Sequence, residues 1–336
     1  MSRTLLFIPL LMTACTGEAD KADDTAGDTN AAGCEITFES LPSSGALDAD
    51  YRAPIEFHLS DPDTTATVTS ADIAGTTSSP DGYETIIFTP NEPLAPSTPY
   101  TVTLNYCRGS SDITFTTSGL GAPLSSPDIL ETRTYALDLA GARILEPAGV
   151  GSVLTSYLTQ SILVGVVSAD ATKIQMLGAI GKEDVTPPEQ DYCDPSIDFP
   201  EADFTAQPYF QIGPQDTTLA VAGLALEIGD LEITGTFAAD GTYFAGGTLA
   251  GVIDTRPLAP LLGDDSGDEG AICDLAISFG AVCEACPADG EPYCLSLVAD
   301  QIQALEVEGE TLVVVAGSDC TGCADGPPAE DAVCVE

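Results

Sequence analysis

Eleven cysteines constrain this chain more than any other feature, and eight of them fall after residue 190. A set this dense is out of place in a reducing cytosol. It points to an oxidising compartment, where sulfur cross-links supplement a hydrophobic core. The eight are Cys193, Cys273, Cys283, Cys286, Cys294, Cys320, Cys323 and Cys334. Eight cysteines allow about 105 pairings, so the connectivity stays open. Two runs have the form Cys-x-x-Cys, Cys283-Glu-Ala-Cys286 and Cys320-Thr-Gly-Cys323. Paired runs of this kind also suit zinc, which stands as the alternative to structural disulfides. A redox role needs a thiolate stabilised by a nearby cation. No Lys or Arg follows Arg256, so that stabilisation is missing.

Charge narrows the classes further. Nine basic residues face 53 acidic ones, a formal net charge of −44, over 336 residues. From Pro257 onward there are 17 Asp and Glu and no basic residue. Phosphate neutralisation needs clustered Lys and Arg, so nucleic acid is excluded as a partner, and an anionic lipid surface with it. With 44% hydrophobic residues the chain is nevertheless rich enough to bury cores. Thirty-two glycines and 24 prolines favour strands and turns over long helices.

The N-terminus reads as an address. Met1-Ser2-Arg3 is followed by the apolar run Leu5–Leu11 and by Met12-Thr13-Ala14-Cys15. The run is too short to span a bilayer and has the form of a signal-peptide apolar region. The tetrad resembles a bacterial lipoprotein lipobox, with Met12 where that motif usually has Leu. The resemblance implies cleavage after residue 14 and acylation of Cys15. Several acyl chains anchor stably where one does not. Residues 15–33 then form an acidic tether without an aliphatic side chain larger than Ala. The lack of Asp directly after Cys15 resembles the sorting signal of outer-membrane lipoproteins, and the acidic tether that of surface-displayed ones.

Residues 34–119 alternate with a period of two. Ile55, Phe57 and Leu59 share one strand face, with Glu56 and His58 on the other. Tyr100, Val102, Leu104 and Tyr106 repeat the pattern, which argues a β-sandwich. Ile87-Phe88-Thr89-Pro90, Pro93 to Val102 and Phe115-Thr116-Thr117 resemble the bacterial Ig-like domain of surface-layer and other exported proteins. The resemblance implies a spacer without catalysis. Cys34 and Cys107, additions to that pattern, are expected to pair. His58, the single histidine, is read as an exposed strand residue rather than a catalytic base.

Residues 120–129 form a linker by composition, and 130–336 a cysteine-rich β domain. An amphipathic helix is expected from Val150 to Leu158, and strands at 134–139, 162–167, 219–228, 231–237, 243–253, 295–298 and 312–315. Ser266 and Glu269 have capping-box spacing ahead of a helix whose inner face is Ile272, Leu275, Ala276 and Phe279. Asp264, Asp265, Asp268 and Glu269 are a candidate Ca²⁺ loop, though without EF-hand spacing. The acidic, Pro-rich segment 183–208 around Cys193 is long for a loop and is expected to be stapled or functional.

The expected fold is mainly β: an Ig-like sandwich followed by a disulfide-rich β domain with a few short helices. The expected role is a surface lipoprotein acting as a non-catalytic binding or adhesion module. Its partners are the membrane, through the lipid, and an extracellular or envelope protein or glycan. A structural envelope component and an extracytoplasmic hydrolase working through paired carboxylates are the alternatives.

Overall fold

The computed structural model describes residues 34–147, 160–221, 224–262 and 268–316. The leader, Cys15 and its tether, the helix expected at 150–158, Asp264, Asp265, Cys320, Cys323 and Cys334 lie outside the described residues. The fold is mainly β. Among the described residues no helix is long and apolar enough to cross a membrane.

The first core is a two-sheet sandwich. One sheet holds β1 (Phe38–Leu41), β2 (Ile55–Leu59), β4 (Gly75–Ser78) and β5 (Thr85–Pro90), in the order β1-β2-β5-β4. The other holds β3 (Thr67–Thr69), β6 (Pro99–Tyr106) and β7 (Gly109–Thr116), in the order β3-β6-β7. All pairings within the two sheets are antiparallel. Ile55, Phe57, Ile86, Phe88, Val102, Leu104, Ile113 and Phe115 fill the space between the sheets. Cys34 is bonded to Cys107, closing a 73-residue span across the sandwich.

The second core lies inside one large curled sheet. Its strands are β8 (Thr134–Asp138), β9 (Arg143–Glu146), β10 (Ile162–Ala169), β11 (Lys173–Ile180), β12 (Ile197–Asp198), β13 (Ala202–Asp203), β14 (Tyr209–Val221), β15 (Leu224–Phe237), β16 (Tyr243–Asp254) and β17 (Cys294–Glu306). The path runs β12-β11-β10-β8-β17-β16-β15-β14, with β13 paired to β11 and β9 to β17. β13 also lies against β14, so the sheet curls back on itself. Tyr135, Phe204, Phe210, Phe237 and Phe244 plug its interior, with Phe210 and Phe237 ring centroids 4.8 Å apart. The buried Tyr135 hydroxyl donates to the Gly241 carbonyl at 2.7 Å, which gives the polar tip of an otherwise apolar plug its partner.

Several expectations change. Residues 219–228 are not one strand. Val221 pairs with Leu224, and residues 209–221 and 224–237 belong to two different strands. The β14 side bulges at Gly213, whose φ is +91° and where a Cβ would sit 2.2 Å from the Leu231 carbonyl oxygen. Residues 312–315 make no strand. The Gln190 side chain takes the place of a neighbouring strand, donating to the Val313 carbonyl (2.8 Å) and accepting from the Val313 amide (2.9 Å). Ser196 does the same for the Val315 amide.

Residues 120–129 are bound to both cores. Leu120 is buried in the first, and Leu124 and Ile129 pack on the second. A 3₁₀ turn, Pro127–Leu130, ends with Leu130 fully buried. The sandwich also rests directly on the curled sheet. Tyr243 and Ala245 of β16 pack on the first core, and the Tyr51 hydroxyl lies 3.3 Å from Thr236 Oγ1. The Arg52 guanidinium sits 3.8 Å above the Tyr209 ring. Asp50 lies against Gly246, where φ is +61° and a Cβ would come within 2.2 Å of its carboxylate.

Arg143 clamps the two parts. It donates from Nη1 and Nη2 to Glu56 of the sandwich (3.1 and 3.0 Å), and from Nε and Nη2 to Asp300 of β17 (2.9 and 2.6 Å). Glu56 is buried beneath this contact. Burial alone would raise its pKa. The hydrogen bonds and charge of Arg143, with His58 alongside, outweigh that and hold the carboxyl below its ordinary value.

Candidate functional site

Past β16 the chain builds a small cross-linked platform. Residues Arg256–Leu262 form a 3₁₀ turn, and Ala271–Ser278 the helix α1. The hydroxyl of Thr255, just ahead of the turn, donates to the Tyr293 carbonyl (2.5 Å) and lies 3.5 Å from Cys273 Sγ, tying the turn, the helix and the lead into β17 together. Cys273 is bonded to Cys283 and Cys286 to Cys294. The two sulfurs of Cys283-Glu-Ala-Cys286 therefore go to different partners, each outside the pair.

Asp254 lies with Cys286 and Cys294 in a group whose ligand atoms are within 4.8 Å of one another. The two sulfurs are joined to each other, and Arg256 donates to Asp254 from its amide, Nε and Nη2. Those bonds and the Arg256 charge overcome the effect of burial and hold the Asp254 carboxyl low. The group is thus a covalent and ionic staple rather than a set of open metal ligands. The zinc alternative finds no support at Cys283 and Cys286, while Cys320 and Cys323 are outside the described residues. Arg256 Nη1 also donates to Asp289 (2.7 Å), so the last cation of the chain is held between two carboxylates.

The expected capping box is not the start of α1. The N-cap is Gly270, and the Asp268 side chain accepts from the Gly270 amide at 3.0 Å. Of the candidate Ca²⁺ ligands only Asp268 and Glu269 are described, and both are exposed.

The helix also turns a different face inward. Ile272, Leu275, Ala276 and Phe279 were expected to face the core together. Cys273 and Ala276 are the buried pair, because the bond to Cys283 fixes the rotation of the helix. Leu275 is left 44% exposed, Ile277 59%, Phe279 47% and, just beyond, Val282 76%. Scattered apolar surface is ordinary. Four large apolar side chains within eight residues are left exposed on and just after an element held by a disulfide.

His58 stands apart, exposed on the sandwich. Its Nε2 is 3.1 Å from Glu56 Oε2 and its Nδ1 3.3 Å from Thr85 Oγ1, a cross-strand contact beside the Arg143 clamp. Cys193 is disulfide-bonded, and its amide donates to Asp191, within the long acidic segment. The sequence reading missed both the clamp and the apolar exposure around α1. Arg143 carries no local signal of its role, and Leu275 and Phe279 were assigned to the core.

No protein-family model matches the chain, and no curated protein matches it in sequence. Among solved structures an L,D-transpeptidase from Mycobacterium smegmatis is similar at 14% identity and a TM-score of 0.21, over 58% of this chain and 75% of that one. A likeness that slight bears on neither fold nor activity.

Proposed function

We propose that this chain is an envelope lipoprotein, displayed on the cell surface, that works as a non-catalytic binding module. The exposed apolar side chains on and just after α1 are its contact surface. Their exposure carries this reading. Leu275, Ile277, Phe279 and Val282 are held toward solvent by cross-links on an otherwise strongly acidic chain. The sandwich supports it by bracing the sheet from which the platform extends, through Arg143, Tyr51 and Arg52. The leader and the lipobox resemblance at Cys15 support the anchorage.

The test uses the full chain in cells. Palmitate incorporation is expected with Cys15 present and lost in Cys15→Ala. A photo-crosslinking residue at position 277 is expected to give one discrete adduct, absent when the same residue is placed at Thr101 of the sandwich. The captured partner, once purified, is expected to bind the wild-type chain and not Ile277→Asp. A properly oxidised protein that takes no label and gives no adduct at position 277 overturns the reading.

A further inference from the structure

We propose that residues 307–316 form a strap across the outside of the curled sheet, and that the disulfide at Cys193 is a latch which a dithiol reductant opens. The device is independent of the binding role above.

The strap crosses the strands instead of joining them. The Val307 amide donates to the Thr134 carbonyl of β8, and the Thr311 hydroxyl to the Thr132 carbonyl. Leu312 then packs on β10, where a Cβ at Gly165 would meet its side chain at 3.0 Å. Gln190 grips Val313 at amide and carbonyl, and Ser196, just ahead of β12, does the same for Val315. The face beneath is apolar. Leu163 pairs with Ala179 and Gly165 with Leu177, and all three side chains are buried. They alternate with Val164, Val166 and Met176, which point into the plugged interior, so they lie on the outside.

Two features make the strap separable. First, β8, β10 and β11 each have a strand neighbour on both sides without it, so lifting it leaves their ladders intact. Second, Thr134 pairs with Gly165 and therefore shares the strapped face. It is fully buried, and its hydroxyl finds no partner among the described residues. A buried unpaired hydroxyl works against closure, and lifting the strap lets water reach it.

Cys193 lies between the two gripping residues, Gln190 and Ser196. It is disulfide-bonded, and the other six described disulfide cysteines pair with one another. With Cys15 read as the lipid site, its partner is Cys320, Cys323 or Cys334, all of which follow the strap. The bond thus closes a covalent ring through the strap and keeps it at high effective concentration over its face. Opening is thiol–disulfide exchange. One thiolate of the dithiol attacks the bond and the second completes the exchange. Two electrons and two protons pass to the chain as two cysteine thiols, and the reductant leaves as a disulfide.

Hydrogen–deuterium exchange of the full oxidised chain tests this. Cys193→Ser should speed exchange at Val313 and Val315 at least about 10-fold while β8, β10 and β11 stay protected. Wild type under limiting dithiothreitol should show the same gain, in proportion to the Cys193 thiol detected by alkylation, which keeps the test valid if Cys193→Ser misfolds. Thr134→Val keeps the shape, removes the unpaired hydroxyl and should slow strap exchange about 5-fold. Strap exchange that ignores both the substitution and the reductant refutes the latch. Exchange that rises equally in β8, β10 and β11 refutes a separable strap, and faster exchange in Thr134→Val refutes the opposing role of its hydroxyl. None of these readouts involves α1, so their failure leaves the binding role standing.

Discussion

Replacing Arg143 with Met removes the cation that sits between the sandwich and the curled sheet. Four hydrogen bonds go, and two carboxylates lose their common partner. Glu56 matters more, because its side chain is only 11% exposed against 21% for Asp300. Removing one member of a fully buried ion pair costs about 3–5 kcal/mol, since the other charge is left without compensation. Arg143 itself keeps 32% of its side-chain surface, and exposed pairs contribute under about 1 kcal/mol. The loss for this half-buried clamp should therefore be about 2–3 kcal/mol.

Urea titration at pH 7 followed by circular dichroism measures it. Wild type is expected to unfold in one transition. Arg143→Met should show two, because the sandwich loses much of its hold on the sheet. Adding Glu56→Gln should recover part of the loss, with a coupling of about 1–2 kcal/mol. The pH dependence has a definite sign. Glu56 has its pKa lowered in the folded state, so its contribution is present above its ordinary value of 4.5 and lost as pH falls through the folded one. Arg143→Met should flatten that acid-side loss. A variant within about 0.5 kcal/mol of wild type, still unfolding in one step, would falsify the clamp.

Asp50 should behave oppositely. Its burial against Gly246 outweighs the Arg52 amide and charge and raises its pKa, so ionisation at neutral pH disfavours the folded state. Asp50→Asn should raise the urea midpoint at pH 7 and lose that advantage near pH 4; a lowered midpoint at pH 7 contradicts the reasoning. Tyr135→Phe should cost about 1 kcal/mol by leaving the Gly241 carbonyl without its donor, and an unchanged thermal melt would count against that bond. Asp63→Ala strips acceptors from the Thr65 amide and hydroxyl and from the Cys107 amide, and should cost about 2 kcal/mol in calorimetry of the full chain. Non-reducing peptide mapping should join Cys193 to one of Cys320, Cys323 or Cys334, and a free Cys193 thiol would refute this.

Alternation placed Ile55, Phe57 and Leu59 inward, and they are buried. The same rule put Glu56 beside His58 on the solvent face. His58 is exposed, but Glu56 is covered, because the curled sheet brings Arg143 over it. A period-two pattern describes one sheet and carries no information about a neighbouring domain. The connection between β14 and β15 was hidden for a related reason: Val221-Ala222-Gly223-Leu224 lacks the Asn-Gly or Asp-Gly signal of a hairpin. Leu312 to Val315 looked like a strand because its residues are apolar, yet the Val313 and Val315 amides donate to the Gln190 and Ser196 side chains. On α1, periodicity assigned Leu275 and Phe279 to the core. The covalent bond at Cys273 decided the rotation, and the sequence could not show which cysteine it would choose.

The bond between Cys34 and Cys107 has a mechanical consequence. A pull on the chain ahead of Cys34 passes through sulfur to the end of β6, bypassing the 73 residues between. Peeling β1 from the sandwich edge would otherwise release about 3.5 Å of slack per residue, roughly 250 Å for that span. The cross-link makes that length inextensible, so stretching force passes to the chain beyond Cys107 instead of unravelling the strands before it.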